Sequence, residues 1–177
     1  MQFSHDNMTG AFLAADLVNA ARGQAWTLAG AELILRDHAI RRAKVDKATS
    51  AALRRWSAKL RTVFAATDET DRCHAINAIL AEGTTSVYLT THDGLRPHLH
   101  FTPEDDDLLG RVMAVTAGGL AIFTVEADGH RLGTCALPGC TRVFVDTSRN
   151  GRRAYCTARC GNNDAVHRHR ESRATYP

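Results

Sequence analysis

The sequence lacks the motifs by which most enzymes and membrane proteins are recognised. It contains no glycine-rich phosphate loop, no nucleophile elbow and no pair of carboxylates at catalytic spacing, so enzymatic activity is not expected. No apolar run approaches the length of a membrane span, which predicts a soluble protein without a membrane partner. Internal repeats and long flexible linkers are absent too. A chain of 177 residues then has room for one domain with a core and one small module.

A secretion signal is also missing. The chain begins Met1-Gln-Phe-Ser-His-Asp, without a basic stretch followed by an apolar one. This predicts a cytoplasmic protein whose cysteines stay reduced, because disulfides persist mainly in oxidising compartments.

Four of the five cysteines lie close together near the C-terminus. They form two pairs, Cys135-x4-Cys140 and Cys156-x3-Cys160, which are separated by fifteen residues. Two close pairs can converge on one ion, and four thiolates form a common structural Zn²⁺ site. Four merely buried cysteines are the competing interpretation. The pairing predicts one structural zinc ion per chain, whereas Cys73 stands alone in a predicted helix and is expected in the core.

Positive charge is concentrated in the same part of the chain. Residues 131–177 contain nine Arg, no Lys and three acids, a net charge of +6. Residues 1–130 contain thirteen Lys and Arg against sixteen Asp and Glu, a net charge of −3. Segregated charge predicts two domains with separate roles, an acidic one over 1–130 and a basic one over 131–177.

The region before the cysteines is expected to be mostly helical with one β-hairpin. Alternating segments at 85–90 and 95–101 flank His92-Asp93-Gly94, which is a strong hairpin signal. Apolar residues recur at helical spacing elsewhere. The predicted helices span about 12–23, 29–42, 50–64 (capped by Thr49 or Ser50), 69–81, and 102–126, starting at Thr102-Pro103. Gly118-Gly119 in the last of these predicts a kink or a close packing contact.

The cysteine region is predicted to form a small treble-clef-like zinc finger, which makes the overall class α+β. Pro138 and Gly139 supply the turn of a knuckle between the first two cysteines. The predicted elements that follow are a strand over 142–146, a turn over 147–151, a return strand over 152–155 and a helix from about Thr157. So small a unit has little core, so metal binding should supply much of its folding energy.

The cations of the finger lie where nucleic acid could be bound. Arginine suits phosphates and guanine edges, and asparagine can read adenine. The predicted contacts are Arg149, Arg152, Arg153, Asn162, His167, Arg168, His169, Arg170 and Arg173. A solvated basic tail is the simpler alternative, because helix C-termini favour cations in any protein. A protein-interaction module whose basic face binds an acidic partner is another.

Two histidines in the predicted hairpin invite a second metal site. His98 and His100 share one face of a strand, and His92-Asp93 lies at the turn. A full ligand set is not visible, and such pairs more often mark an exposed strand edge.

The C-terminal run resembles the CGNR zinc finger. The resemblance rests on the four cysteines together with Phe144, Asp146, Ser148, Asn150, Arg152, Arg153, Gly161, Asn162, His169 and Arg170. The region before it resembles the ABATE domain of stress-induced transcription regulators, through Asp16-Leu-Val-Asn19 and Arg72-Cys-His-Ala-Ile-Asn77. The resemblance implies a bacterial, zinc-containing, DNA-binding regulator. Its N-terminal domain would sense a small-molecule ligand or a protein partner.

The chain departs from the naming motif at one position. It reads Cys160-Gly-Asn-Asn163, so an Asn stands where the family has Arg, and Asp164 follows. Each lost phosphate contact weakens DNA binding and lowers its salt dependence. The sequence therefore predicts an intact zinc site but weaker DNA binding than in relatives with the full motif.

Overall fold

A computed structural model describes residues 5–23, 26–91, 97–127 and 129–174, excluding the side chains of 5–7, 173 and 174. Within these residues the chain is α+β, as predicted, with six helices and two antiparallel hairpins. The helices are α1 (His5–Ala21), α2 (Leu28–Asp37), α3 (Lys47–Ala65), α4 (Glu69–Gly83), α5 (Leu108–Glu126) and α6 (Ala158–Ala174). The strands are β1 (Tyr88–Thr90), β2 (His98–His100), β3 (Leu132–Thr134) and β4 (Val143–Val145).

Short polar side chains determine where four of the helices begin. Thr27, Asp46, Asp68 and Asp107 each precede a helix and accept a hydrogen bond from the backbone amide three residues later, at 2.7–3.0 Å. Each bond satisfies a backbone donor that has no partner inside the helix. The predicted cap of α3 at Thr49 or Ser50 is therefore wrong by one turn. Ser50 is instead buried and accepts a hydrogen bond from the Trp26 indole at 2.9 Å.

Three other predicted boundaries are also wrong. Helix α1 begins at His5 rather than near residue 12. Helix α2 ends at Asp37 rather than near residue 42, because Ala39 and Arg42 adopt left-handed backbone conformations with φ of 56° and 51°. Helix α5 begins at Leu108 rather than at Thr102. The hydroxyl of Thr102 donates to the Asp106 carboxylate, so the acidic run forms turns before the helix instead of its first turn.

Helix α5 is the centre of the core and packs against α1, α3 and α4. Its closest contact is with α1, where a Cβ added to Gly119 would lie 2.6 Å from the Cα of Gly10. The glycine pair therefore marks a close packing contact within a continuous helix rather than a kink. On another side, the Trp56 indole donates to the Thr116 hydroxyl at 2.9 Å, which satisfies both buried polar groups.

The length and composition of α5 would also allow it to cross a membrane, contrary to the expectation that no apolar run approaches a span. Within the described residues it is the one helix with this property. A helix in the core of a folded domain can be equally long and apolar. In this fold α5 contacts three neighbouring helices.

The predicted N-terminal hairpin is present as the β1–β2 pair. The strands are antiparallel, with Tyr88 opposite His100 and Thr90 opposite His98. The predicted turn at 92–94 lies outside the described residues. The two histidines are half-buried, and Leu99 between them is exposed, on a strand that is an edge of this two-stranded sheet.

Cys73 is exposed, contrary to the prediction that it is a core residue. The inward face of α4 consists of Arg72, Ile76, Ile79 and Gly83, which recur at helical spacing. Cys73 lies beside that face. The Arg72 guanidinium is buried instead and donates to the carbonyl oxygens of Ala66 and Gly129, both at 2.6 Å.

Candidate zinc centre and basic surface

The first cysteine pair lies in the connection between β3 and β4. The predicted return strand over 152–155 is absent, and β4 pairs with β3 instead, in register from Leu132↔Val145 to Thr134↔Val143. The Cys140 amide donates to the Leu137 carbonyl at 2.9 Å, and Gly139 has a φ of 80°. A left-handed conformation favours glycine, so the knuckle depends on that residue.

The second pair lies at the start of α6. Cys156 lies two residues before the helix and Cys160 is in its first turn, where its amide donates to the Thr157 hydroxyl at 3.2 Å. The sulfurs of this second pair therefore lie a short distance from the knuckle between Cys135 and Cys140. A small core surrounds them, in which Phe144 is buried and Leu137 and Tyr155 are partly buried.

The sulfur positions fit a tetrahedral zinc ion. The four Sγ atoms all lie within 4.8 Å of one another. The separations are 3.8 Å for Cys140–Cys156, 3.6 Å for Cys156–Cys160 and 4.0 Å for Cys140–Cys160. A tetrahedral site with Zn–S bonds of about 2.3 Å requires sulfurs about 3.8 Å apart. Disulfides would need about 2.05 Å, and all four cysteines are free. The predicted four-cysteine cluster is thus confirmed, and it can hold one zinc ion.

The cluster perturbs its own thiols in opposite directions. Burial opposes ionisation of Cys135, but backbone hydrogen bonds from Cys156 and Leu137, together with hydrogen bonds from the Cys140 and Cys156 thiols, lower the pKa of Cys135 to about 7. Burial and the neighbouring thiols raise the pKa of Cys156 to about 12. Without a cation, four adjacent thiols cannot all be deprotonated, because their negative charges would repel one another. A bound Zn²⁺ keeps its coordinating thiols deprotonated.

An aspartate organises the segment between the two cysteine pairs. Asp146 is 2% exposed and its carboxylate accepts from the amides of Ser148 and Arg153, both at 2.8 Å. Burial opposes its ionisation, but bonds from Ser148 and Arg153 and the charge of Arg131 lower the pKa of Asp146 overall. Asp-x-Ser is a turn-forming pattern, which is the signal in the sequence that could have revealed this role.

Arg153, a predicted DNA contact, is held within the finger. Its guanidinium donates to the carbonyls of Tyr155 at 2.9 Å, of Val145 at 3.4 Å and of Cys156. It also lies 5.1 Å from the centre of the Phe144 ring, in a cation–π arrangement. Arg153 therefore ties β4 to the second cysteine pair.

Most of the other predicted contacts lie on two exposed segments. Arg149 and Arg152 are exposed on the turn that follows Asp146. The exposed contacts on α6 are Asn162, His167, Arg168, His169 and Arg170. Arg173 also belongs to α6, although its side chain lies outside the described residues. Two further exposed arginines of the finger, Arg142 and Arg159, were not predicted as contacts.

Asp164 has partners on the same helix and on the segment before it. Its carboxylate accepts from the Tyr155 hydroxyl at 2.7 Å and from Arg168 at 2.9 Å. The Tyr155 hydroxyl makes the largest contribution to lowering the pKa of Asp164, and Arg168 adds to it. Part of the charge of Arg168 is therefore neutralised within the helix.

The finger is packed onto the helical region through β4. Val143 and Val145 belong to the main core, whereas Phe144 between them belongs to the finger core, as expected from the alternation of side chains along a strand. Asn19 of α1 accepts from the Val143 amide at 2.8 Å and donates to its carbonyl at 3.1 Å. The strand is thus shared by the predicted domains 1–130 and 131–177.

A model of the CGNR zinc finger family matches residues 131–173. This match agrees with the resemblance found in the finger and covers all four cysteines. No curated protein matches the chain. The matched residues do not include the helical region, so its resemblance to the ABATE domain stays a prediction.

Proposed function

We propose that this chain is a cytoplasmic, non-enzymatic regulator that binds DNA through its zinc finger. In this proposal, residues 1–130 form a sensing domain that responds to a small ligand or a protein partner. The observation that carries the proposal is that arginines are exposed on two segments of the finger, the turn after Asp146 and helix α6. Both segments lie next to the four-cysteine cluster, in a region with a net charge of +6.

The geometry of the finger supports a nucleic-acid surface. Helix α6 is exposed over Asn162–Asn163 and from residue 165 to 172, and its first turn is anchored by Cys160. A metal-anchored helix with cations and amides on its surface suits contacts with phosphates and base edges. Arg149 and Arg152 lie on the turn that Asp146 organises, so their backbone positions are well defined.

Some arginines of the finger are bonded within it, which reduces the number of candidates for contacts with DNA. Arg131 and Arg153 donate to backbone carbonyl groups of the finger, which makes them structural. Arg168 is partly neutralised by Asp164. Arg149, Arg152 and Arg170 are therefore the strongest candidates for phosphate contacts.

Titration of duplex DNA at several salt concentrations tests this proposal on the zinc-loaded full chain. Each phosphate contact contributes about 0.9 to the slope of log affinity against log salt. Arg149→Gln, Arg152→Gln and Arg170→Gln should each lower the slope by roughly one unit. Arg54→Gln is the matched control, because Arg54 is also exposed but lies on α3. Slopes unchanged in all three finger variants, with binding that disappears near physiological salt, would favour an acidic protein partner instead.

Restoring the missing motif arginine tests the predicted weakness of the finger. Asn163 is exposed on α6, one residue before Asp164. Asn163→Arg should tighten DNA binding by about tenfold and steepen the salt dependence by roughly one unit, because it adds one charge-assisted contact. Unchanged affinity at low salt would mean that position 163 does not face the nucleic acid.

A further inference from the structure

A cavity of about 620 Å³ lies between the N-terminal half of α1, the central part of α5, the segment 38–42 and the region from β2 to residue 104. Sites for small molecules typically measure about 300–1,000 Å³. None of the described residues that line it belongs to the finger. The cavity is therefore a separate feature of the helical region.

Its lining combines an apolar surface with an excess of positive charge. Ile40, Phe101, Val115 and Ile122 are among the apolar contributors. Among the described residues, the lining contains three arginines and only one acidic residue, namely Arg41, Arg42, Arg111 and Glu104. This excess occurs in a region that is acidic as a whole, with a net charge of −3 over residues 1–130. The local charge is thus opposite in sign to that of its surroundings.

The guanidinium of Arg111 is held by neutral groups. It donates to the backbone carbonyl of Asp106 and, at 3.1 Å, to that of Arg41. Its Nε is buried and has no hydrogen-bond partner among the described residues. The carboxylate of Asp106 accepts from the Thr102 hydroxyl and the Asp107 amide. A buried donor of a cation without a partner is costly, and the negative charge of an anion in the cavity would offset part of that cost.

The segment that carries the other two arginines has an unusual backbone. Ala39 and Arg42 both have positive φ angles, of 56° and 51°, and both line the cavity. Left-handed backbone is unfavourable at residues other than glycine. These conformations end α2 and bring Arg41 and Arg42 to the cavity instead of continuing the helix.

A chain of hydrogen bonds positions two imidazoles that also line the cavity. The Tyr88 hydroxyl lies 3.2 Å from His100 Nδ1, and His100 Nε2 lies 3.1 Å from His98 Nε2. Both histidines line the cavity and are half-buried. A few convergent polar groups in an otherwise apolar pocket are what orient a small ligand.

We propose that this cavity binds a small organic anion, in which a carboxylate or phosphate group is joined to an apolar body. The arginines take the anionic group, for which the planar guanidinium is suited, and the apolar wall takes the remainder of the ligand. The inference deepens the proposed sensing role of residues 1–130 and rests on it.

One helix connects the cavity with the finger. Thr9 and Gly10 of α1 line the cavity, and Asp16 pairs with the cavity residue His38 at 2.9 Å. Asn19 at the other end of α1 bonds to Val143 of the finger. A ligand that shifts α1 would therefore act directly on β4.

Isothermal titration of the zinc-loaded full chain without DNA tests the binding. Benzoate and phenyl phosphate are the anionic probes, and benzamide is the neutral analogue. We expect saturable binding of one anion per chain and none of benzamide. Whether benzoate or phenyl phosphate binds identifies the anionic group of the ligand as a carboxylate or a phosphate. Absence of saturable binding for both anions at millimolar concentration would overturn the proposal.

A matched pair of variants locates the site. Arg42 is exposed, so Arg42→Gln should fold, and it should weaken binding of the anionic probe at least about tenfold. Arg55 is also exposed but lies on α3, outside the cavity, so Arg55→Gln should bind the probe as the native chain does. Equal affinities of Arg42→Gln and the native chain would contradict the assignment.

DNA titrations of the same proteins separate this inference from the proposed function. Anion binding without DNA binding would retain the cavity site and reject the DNA-binding role. DNA binding by Arg42→Gln at native affinity, with anion binding lost, would show two independent sites.

Discussion

Individual arginines of the finger have different roles that their position in the sequence does not reveal. Arg152 and Arg153 are adjacent and both exposed. The guanidinium of Arg153 donates to the carbonyls of Tyr155, Val145 and Cys156. Among the described hydrogen bonds of the finger, the Arg152 guanidinium makes none of this kind. The difference follows from the position of each residue relative to the Asp146 carboxylate, which holds the Arg153 amide. A cation in a basic segment is thus either part of the structure or available to a partner.

Arg153→Gln should lower the free energy of unfolding of the zinc-loaded chain by about 1–3 kcal/mol, because three carbonyl groups lose a charged donor. Arg152→Gln, its neighbour, should change it by less than about 0.5 kcal/mol. Denaturant unfolding of both variants provides the measurement. Equal effects would contradict the structural role assigned to Arg153.

Asp146→Asn should destabilise the finger by about 1.5–3 kcal/mol, since an amide offers one acceptor oxygen where the carboxylate offers two. The folded-state pKa of Asp146 is lowered below its usual value near 3.9. Its stabilising effect is therefore fully present above about pH 4 and is lost as the pH falls through the folded-state pKa.

It follows that the difference in stability between Asp146→Asn and the native chain should stay constant from about pH 5 to 8. Asp37→Asn, at the exposed end of α2, serves as the control and should have little effect. A difference that changes steadily over this pH range would mean that another group titrates with Asp146.

At the scale of elements, the close contact between α1 and α5 depends on two glycines. Gly10 of α1 and Gly119 of α5 leave no room for a Cβ on either side, and a Cβ at Gly118 would lie 2.3 Å from the Phe101 ring. This close approach aligns α1 with α5, and Gly10 and Gly119 both line the proposed anion site. The same residues thus determine the packing and form one wall of the cavity.

Gly119→Ala should destabilise the chain by about 1–3 kcal/mol or more, although alanine favours helices, because its methyl group would meet the α1 backbone. Helix propensity alone would predict stabilisation of up to about 1 kcal/mol. Thermal unfolding therefore distinguishes the two effects by sign. A rise in Tm would show that the two helices can separate at little cost.

At the scale of the whole molecule, the packing of the two cores does not divide the chain at residue 131, where the net charge changes sign. Val143 and Val145 of β4 belong to the main core and Phe144 belongs to the finger core. Arg61 of α3 also donates to the Thr141 carbonyl at 2.9 Å. The β3–β4 hairpin is therefore stabilised by the helices on one side and by the zinc centre on the other.

Removal of zinc by a chelator, or Cys140→Ser, should unfold the cysteine segments while the helical core persists. Hydrogen exchange should increase at 135–140 and 154–161, which depend on the ion for their few contacts. Amides of β4 should retain much of their protection, because Val143 and Val145 remain packed on α1 and α3. Equal loss of protection in β4 and in the cysteine segments would mean that the hairpin folds only with the metal.

The sequence by itself predicted those features that depend on neighbours along the chain. The spacing of the cysteines predicted the four-cysteine cluster, because close pairs need only local turns to present both sulfurs. Apolar periodicity predicted α4 and the α5 core helix, and alternation predicted the β1–β2 pair. The fold class follows from these elements.

Tertiary structure decided what depends on distant partners. The pairing of β4 with β3 rather than with 152–155 arises because Asp146 and Arg153 use the backbone groups of that segment, and because Val143 and Val145 are buried against helices. The anion cavity joins residues from α1, α5, β2 and the end of α2, which no local pattern connects. Backbone and side-chain groups find such partners only when the chain is folded, which is why periodicity and spacing could not reveal them.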